Sequence, residues 1–471
     1  MENKLGTVLN KKFFTISILL FIFFVLNIIN TTSVYAIETC DSEENKNIQN
    51  LEINKNLITG KICYEDVLKK AKSHSYDLQL ADFEILIAKQ GIRSARSEYF
   101  PKLIAMAGTE YTKNFRDYTN STITTVGDSF INPYTRFQSL MGITLSYNLF
   151  DFGIRHDNLT LSKEDSEVKA LITESQMQDL ELTLVDTYSK LLMTQKQIEL
   201  YKEILDIETK NLEMYERLYK AKEISKQELN DERVKVKNIE ISILELKSLF
   251  ENHLNWLSFY TGEKYNPQDV LITEIKRPDF NPMEFNDYTK TLIWRIQDKE
   301  IKKKELELKI AKKNYLPKVN VYSRYYIYGS DPSSYNQALG DIRPTNYTIG
   351  GNIVMPVFDG FKTSANVQKA TLELKKQIIE RDKAIAEFTT KLSIMRSNLL
   401  FLESQTDTCN DIVLELDEKE KSAERLVKKQ LISPIEFNNI KVEKLKQTIE
   451  YIKNSSAVIA TLKGIQTLST Y

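Results

Sequence analysis

The stretch IRHDNLTLSKEDSEVKALITESQMQDLELTLVDTYSKLLMTQKQIELYKEILDIETKNLEMYERLYKA, residues 154–221, decides the fold. It follows Gly153 and holds neither glycine nor proline, and that gap runs on to Gly262. Proline costs a helix interior about 3 kcal/mol and glycine about 1 kcal/mol relative to alanine, so their absence over such a length marks a helix. Met177, Leu184, Leu191, Ile198, Leu205 and Leu212 recur at seven-residue intervals. A 3.5-residue apolar period winds a helix around its neighbours in a left-handed supercoil. At 1.5 Å per residue the helix would be on the order of 100 Å long, which no compact core requires.

The chain then repeats itself. Gly360 to Ser433 again lacks helix breakers after its first residue, with Ile378, Ile385, Leu392, Leu399 and Val413 in the same phase. Tyr99-Phe-Pro-Lys-Leu returns as Tyr315-Leu-Pro-Lys-Val, and Leu149-Phe-Asp-Phe-Gly returns as Val357-Phe-Asp-Gly-Phe. Glu216-Arg-Leu with Ile224-Ser returns as Glu424-Arg-Leu with Ile432-Ser. One object built from two halves is expected: 37–262, a linker at 263–282, and 283–471. The expected long helices are 153–221 and 360–429, and the return helices 226–260 and 434–463.

The 471 residues carry a formal net charge of −1, which gives no reason to expect nucleic acid or a basic membrane-surface patch. Lys4, Lys11 and Lys12 precede the apolar run Phe13 to Ile29, and Val34-Tyr-Ala offers a small-residue cleavage site. Residues 1–36 therefore read as a secretory signal cut after Ala36, with an uncleaved anchor as the alternative. In an exported chain Cys40 and Cys63 could pair; unpaired thiols in an N-terminal arm are the other reading. Cys409, inside the second long helix, reads as a small packed residue.

Short alternating segments flank a long loop in each half, at about 101–112, 139–150, 317–328 and 346–358. Met141, Ile143, Leu145, Tyr147 and Leu149 alternate with Gly142, Thr144, Ser146 and Asn148, and Val319, Val321, Tyr325 and Ile327 alternate with polar residues. Period two with one apolar and one polar face is a strand signature. The apolar face could pack on helices as in a soluble sheet. The signal segment, and rods with no compact core to cover the sheet, favour a transmembrane barrel with its polar face toward water. Four strands cannot close a barrel, and open edges cannot stand in hydrocarbon, so such a chain has to oligomerise; three copies would give twelve strands.

These residues, in this order and twice over, resemble the outer-membrane efflux protein family, the TolC-type exit ducts, over roughly Ile62 to Gly464. The resemblance implies a mainly α fold with a transmembrane β-barrel, two tandem repeats each with long coiled-coil helices and two strands, and a homotrimer. Three chains would form a 12-stranded barrel in outer-membrane lipid plus a periplasmic α-helical tunnel. The implied function is a passive exit for a tripartite efflux pump or type I secretion system, partnered by a periplasmic adaptor and an inner-membrane transporter. A periplasmic adaptor or coiled-coil scaffold is the alternative.

The family's helix tips usually read Tyr-x-x-Gly-Leu. Here they are Tyr219-Lys-Ala-Lys222-Glu223-Ile224-Ser225 and Val427-Lys428-Lys429-Gln430-Leu431-Ile432-Ser433, with Lys222 and Gln430 in the place of the glycine. These tips are the expected adaptor-docking residues. Glu436 and Asn439 match positions that ring the periplasmic mouth in some members; Glu228, Lys428 and Lys429 join them as candidate aperture residues. As first-turn acids, Glu228 and Glu436 also read simply as helix starts. His74, His156 and His253 have no zinc or catalytic pattern around them, and no glycine loop could cradle phosphate, so neither an enzyme nor a cofactor is expected.

Overall fold

A computed structural model describes residues 58–113, 124–126, 129–131, 137–283 and 287–470. The signal segment and Cys40 lie outside these. Two compact units are present, Met1–Thr59 with Gly262–Asn266 and Gly60–Thr261 with Pro267–Tyr471. In the first, Gly262 has φ +71° and the Tyr265 hydroxyl donates to Glu263 at 3.3 Å.

In chain order the elements are β1 (Ile58–Ile62), α1 (Tyr64–His74), α2 (Tyr76–Ser97), β2 (Lys102–Tyr111), β3 (Thr124–Val126), β4 (Ser129–Ile131), β5 (Phe137–Phe150), α3 (Ile154–Lys220) and α4 (Lys226–Thr261). The second half continues with β6 (Tyr265–Ile272), a 3-10 turn (Tyr288–Lys290), α5 (Leu292–Lys313), β7 (Lys318–Asp331), α6 (Tyr335–Gly340), β8 (Arg343–Val354), α7 (Lys362–Lys428) and α8 (Pro434–Thr470). The repeat is three-dimensional. α3 and α7 each have 67 residues, and α2 and α5, which lead into the strands, each have 22.

The heptad positions Leu184, Leu191 and Ile198 of α3 are buried, as are Leu392 and Leu399 of α7. Toward the far end of α3 the buried line moves back one residue, to Ile204, Glu208 and Asn211. At this end α3 packs against α4 and α8, and its buried side turns to meet them. Two apolar clusters hold the rods together. Phe388, Leu392 and Leu399 of α7 meet Val458, Leu462, Ile465 and Leu468 of α8; Ile204 of α3 meets Ile239 and Ile243 of α4 and Val442 and Ile449 of α8. Each fully buried side chain of this size contributes about 1.5–3 kcal/mol, so α8 is the strap that joins the repeats.

The linker 263–282 is not all coil, since its β6 forms a two-stranded sheet with β1. The fully buried Tyr188, near the midpoint of α3, places its hydroxyl 2.8 Å from the carbonyls of both Ile62 and Thr273. Ile272 N–H donates to Gln195 at 2.9 Å. The segments either side of the long helix hairpin are thereby fastened to its middle.

β2, β5, β7 and β8 form an antiparallel sheet in the order β2-β5-β7-β8, which leaves β2 and β8 as open edges among the described residues. β8 begins at Arg343 and ends at Val354, earlier than the residue pattern suggests at both ends. Pro356 lacks an N–H and cannot extend the ladder, which ends the strand there. The first long loop carries a small β3–β4 hairpin and the second carries α6.

Candidate functional site: the sheet, its junctions and the helix tips

Register settles which side chains share a face. Leu103 pairs with Leu145, Leu145 with Ser323 and Ser323 with Ile349; Ala105, Ile143, Tyr325 and Tyr347 form the next row. This face holds no charged residue until Asp331, the last position of β7, and its apolar side chains stand in the open, Ile349 and Ile353 at 71% and Leu103 at 61% exposure. The opposite face carries Lys102, Glu110, Lys318, Arg324 and Arg343 among Ser146, Asn148, Asn320, Thr348 and Asn352. An uncharged, uncovered sheet face is what hydrocarbon tolerates and water does not.

Aromatic rings gather at both ends of the uncharged face. At one end Tyr111 packs tilted on Phe137 and Phe137 edge to face with Tyr335, with ring centroids 5.1 and 4.6 Å apart; Phe150 with Phe152 and Phe358 with Phe361 pack edge to face at the other. β5 has 14 residues, about 45 Å of strand and roughly 35 Å of height at the usual barrel tilt. That matches a bilayer core flanked by two aromatic girdles.

The two strand-to-helix junctions explain the repeated Phe-Asp motif. In the first, Phe152 (φ +55°) and Gly153 (φ +79°) are left-handed; in the second, Gly360 (φ +65°) and Phe361 (φ +66°) are. Two such residues reverse the chain sharply, and in each pair glycine takes one of them without strain. The aspartate then caps the new helix. Asp151 accepts from Gly153 N–H at 3.0 Å and Arg155 N–H at 3.2 Å, and Asp359 accepts from Thr363 N–H at 2.9 Å. These bonds satisfy amides that a helix start leaves orphaned. Arg155 adds a staple in the first repeat alone, bonding Asp151 at 2.9 Å and reaching the carbonyls of Leu149 and Glu98.

Below the first junction, α3 and α5 are zipped by charge. Asp157, 2% exposed, meets Lys309 at 2.9 Å and Lys313 at 2.5 Å; Glu164 meets Lys299 at 2.8 Å and also Lys302; Asp165 meets Lys303 at 2.7 Å. Burial alone would raise the Asp157 and Glu164 carboxyls, but their lysines overcome it and hold both below the ordinary carboxylate range.

At the tips, Lys222 (φ +65°) and Gln430 (φ +59°) adopt the left-handed conformation without glycine. Glu223 N–H bonds Leu218 O at 2.9 Å and Lys222 N–H bonds Tyr219 O at 3.0 Å; Leu431 to Leu426 and Gln430 to Val427 repeat the pattern at 2.9 and 2.8 Å. Both are Schellman turns, which satisfy the last carbonyls of α3 and α7. Ser225 and Glu228 then form a reciprocal capping box, at 3.2 Å and 2.7 Å, that starts α4. The amide and hydroxyl of Ser225 hold the Glu228 carboxyl below its usual value. Glu436 N–H bonds Ser433 Oγ at 3.1 Å, behind Pro434 at the first helical position. Glu436, Asn439, Lys428 and Lys429 are all exposed, and Lys428 bonds Glu424 at 2.9 Å. Ile224 and Ile432 are half-buried in their turns, and Glu223, Leu431 and Ser433 are exposed.

With a lipid-compatible sheet on capped coiled-coil rods in view, comparison with known proteins is informative. Residues 67–263 match the outer membrane efflux protein family. The matched segment is essentially the first repeat, so the family resemblance read from the residues is borne out there. No curated protein matches the chain. The fold of the whole chain is that of solved channels. The structure of CusC superposes with a TM-score of 0.70 at 13% identity, covering 88% of this chain and 93% of that one. The outer membrane protein VceC of Vibrio cholerae gives 0.67 at 14%, covering 86% and 96%. The CmeC outer membrane channel of Campylobacter jejuni gives 0.66 at 16%, covering 85% of each.

The residue pattern missed one polar cluster in this fold. Glu208 and Asn211, both fully buried on α3, face Glu232 and Lys235 of α4. Lys235 lies 2.6 Å from Glu208 and 3.6 Å from Glu232, Asn211 donates to Glu208 at 2.9 Å, and Asn438 of α8 donates to Asn211 at 2.8 Å. Burial, with Glu208 alongside, pushes the Glu232 carboxyl up despite Lys235. Such a raised carboxyl favours the folded state at low pH and weakens it as pH rises through its own value. The signal was present in the sequence as polar residues one step off the heptad line. Cys63 is exposed, and its candidate partner Cys40 lies outside the described residues; Cys409 is half-buried and takes a contact from Asn454 at 3.5 Å. Among the described residues no group of His, Cys, Asp and Glu is arranged for a metal, and no helix is long and apolar enough to cross a membrane.

Proposed function

We propose that the protein is an outer-membrane exit duct, a homotrimer whose twelve strands close a barrel above a periplasmic helical tunnel. It would serve as the passive outlet of a tripartite efflux pump or type I secretion system. The observation that carries this reading is the four-stranded sheet with one uncharged, exposed face and two unpaired edges. Edge amides in hydrocarbon lack partners, and pairing β8 of one copy with β2 of the next supplies them.

The rods support the same assembly. α7 leaves Leu372, Ile379, Ile394, Leu400 and Phe401 exposed, and α2 with α4 leaves Leu80, Phe83, Ile87, Ile241 and Leu244 exposed. Apolar stripes of this extent are covered in working proteins, and here successive copies around a ring would cover them. We assign adaptor docking to the tips, Lys222 to Ser225 and Gln430 to Ser433, and mouth electrostatics to Glu436 and Asn439 with Lys428 and Lys429. Glu228 is committed to its capping box, which weakens its claim to the aperture. A soluble adaptor or scaffold has no use for the uncharged sheet face.

The test is extraction and recording. The mature protein should stay with outer membranes through carbonate washing, run as a trimer in detergent and conduct in planar bilayers. Glu436→Gln should lower its cation preference. A monomer freely soluble without detergent would end the reading.

A further inference from the structure

The second outer loop does not continue outward from its strands. Between β7 and β8 it carries α6, which packs back on β7 and β5. Gly329 shows the side it takes. A Cβ there would stand 2.0 Å from the Ala338 carbonyl oxygen and 2.9 Å from the Ile342 side chain, so only glycine lets the loop lie this close. Gly329 pairs with Ser139, and both lie on the uncharged face with Met141, Ile143 and Leu145. Under α6, Ser139 is 1% exposed and Ala338 is fully buried, whereas Met141, the next residue of that face on β5, is 40% exposed. The loop therefore covers the uncharged side of the wall rather than the polar side.

Ser139 and Leu149 bound the open part of that face on β5. They stand about 34 Å apart along the strand, roughly 25 Å in height at the usual tilt, which is the apolar band of a membrane barrel. α6 sits at the outer margin of that band, where headgroups replace hydrocarbon. Its composition suits the layer. Pro332 to Gly340 carry no charge. Asp331 accepts from the amides of Ser333 and Ser334 at 2.7 and 2.9 Å, Ser334 Oγ accepts from Gln337 N–H at 3.3 Å, and Asp341 is paired with Arg343 at 2.5 Å. Tyr335 and Leu339, one helical turn apart, stay exposed, and Tyr335 packs edge to face on Phe137. Tyrosine is enriched where hydrocarbon gives way to water. β5 and β7 are the inner strands of the sheet, so copies that pair at β2 and β8 meet it away from α6.

We infer that α6 is a shelf in the headgroup layer of the outer leaflet, with Tyr335 and Leu339 docked among the lipid headgroups. The inference rests on the duct reading above, in which the uncharged face meets lipid. An amphipathic element in this layer buries its apolar side about 5–10 Å deep. Such a shelf fixes how far the barrel sinks into the membrane. A loop committed to the lipid side does not fold inward over the mouth, so this loop is no lid on the exit.

The experiment is fluorescence quenching on the Leu339→Trp variant of the full chain, reconstituted in phospholipid vesicles. Trp256 and Trp294, on α4 and α5, are common to parent and variant, and their signal is subtracted. The added tryptophan should emit to the blue of one in water. A nitroxide held near the lipid headgroup should quench it several-fold more than one at the acyl-chain end or iodide in the buffer. Tyr335→Trp, which keeps an aromatic ring against Phe137, should behave alike. Quenching by iodide with none by either lipid label, in both variants, places the loop in water and overturns the shelf while leaving the duct intact. Strongest quenching by the chain-end label overturns it as well. A chain that does not enter vesicles overturns the duct, and the shelf with it.

Discussion

α3 and α7 have the same length and follow the same strand-turn motif, yet the chain surrounds one and leaves the other bare. α3 packs against α1, α2, α4, α5 and α8, whereas among the described residues the main helix partners of α7 are α5 and α8. Buried positions accordingly run along most of α3, including Glu208 and Asn211, while α7 buries only Thr363, Phe388, Leu392, Leu399, Leu416 and Ala423. Nor is the apolar content of α7 low; its Leu372, Ile379, Ile394 and Phe401 simply face outward. Two copies of one sequence plan have thus diverged into a helix that is finished within the chain and a helix whose partners must come from elsewhere.

The largest effect should follow from spoiling the unfinished helix. Ile394→Glu with Phe401→Glu should abolish the proposed trimer, read by native mass spectrometry in detergent, while leaving the helical circular dichroism of the monomer intact. Survival of the trimer would mean that α7 faces lipid-free solvent in the assembly and that the contrast between the repeats has another cause.

A smaller effect separates the two junctions. Asp157 anchors two lysines of α5, and the equivalent position of the second repeat is Ala365, which has no such role. Asp157→Asn should cost about 1–3 kcal/mol, because Lys309 and Lys313 lose their counter-charge; Ala365→Ser should cost under about 0.5 kcal/mol. The pH dependence follows from the lowered Asp157 and Glu164 carboxyls. Their contribution is full above the unfolded values of 3.8 and 4.5 and is lost as pH falls through the lower folded ones, so the parent should lose stability below about pH 4.5 and the variant less. Thermal unfolding monitored between pH 3 and 7, on the order of one scan per unit, reads both.

How much of this was legible depends on what fixed each element. The rods were legible because a run without glycine or proline admits little else, and the sheet because its alternation sorts charge onto one face. The repeated order of landmarks made the fold recognisable although no single motif is specific. The seam was less so. A heptad count places Leu205 and Leu212 inside, but packing against α4 and α8 buries Glu208 and Asn211 instead. Arg155 was invisible because its meaning lies in three elements that meet at the junction. The strand end at Val354 was a matter of Pro356, whose missing amide outweighs an apolar pattern that continues past it.

At the tips the sequence suggests strain where the family has glycine, and the structure carries it: Lys222 and Gln430 are left-handed in otherwise regular turns. The smallest effect should come from relieving it. Lys222→Gly and Gln430→Gly should each stabilise by up to about 1 kcal/mol, in equal measure because the two turns are alike. Calorimetry showing a loss at either tip would mean that its side chain makes a contact worth more than the strain, and that the repeats differ there as well.

The open margins of the sheet, β2 and β8, have a genetic consequence. In the proposed trimer, a barrel sewn from three copies at their margins would have no tolerance for one torn seam, so a copy unable to pair at β2 should silence its sound siblings. In a cell making both kinds equally, only about one assembly in eight would escape if copies mix at random. Partial loss of this gene product should therefore be milder than the presence of a misshapen one.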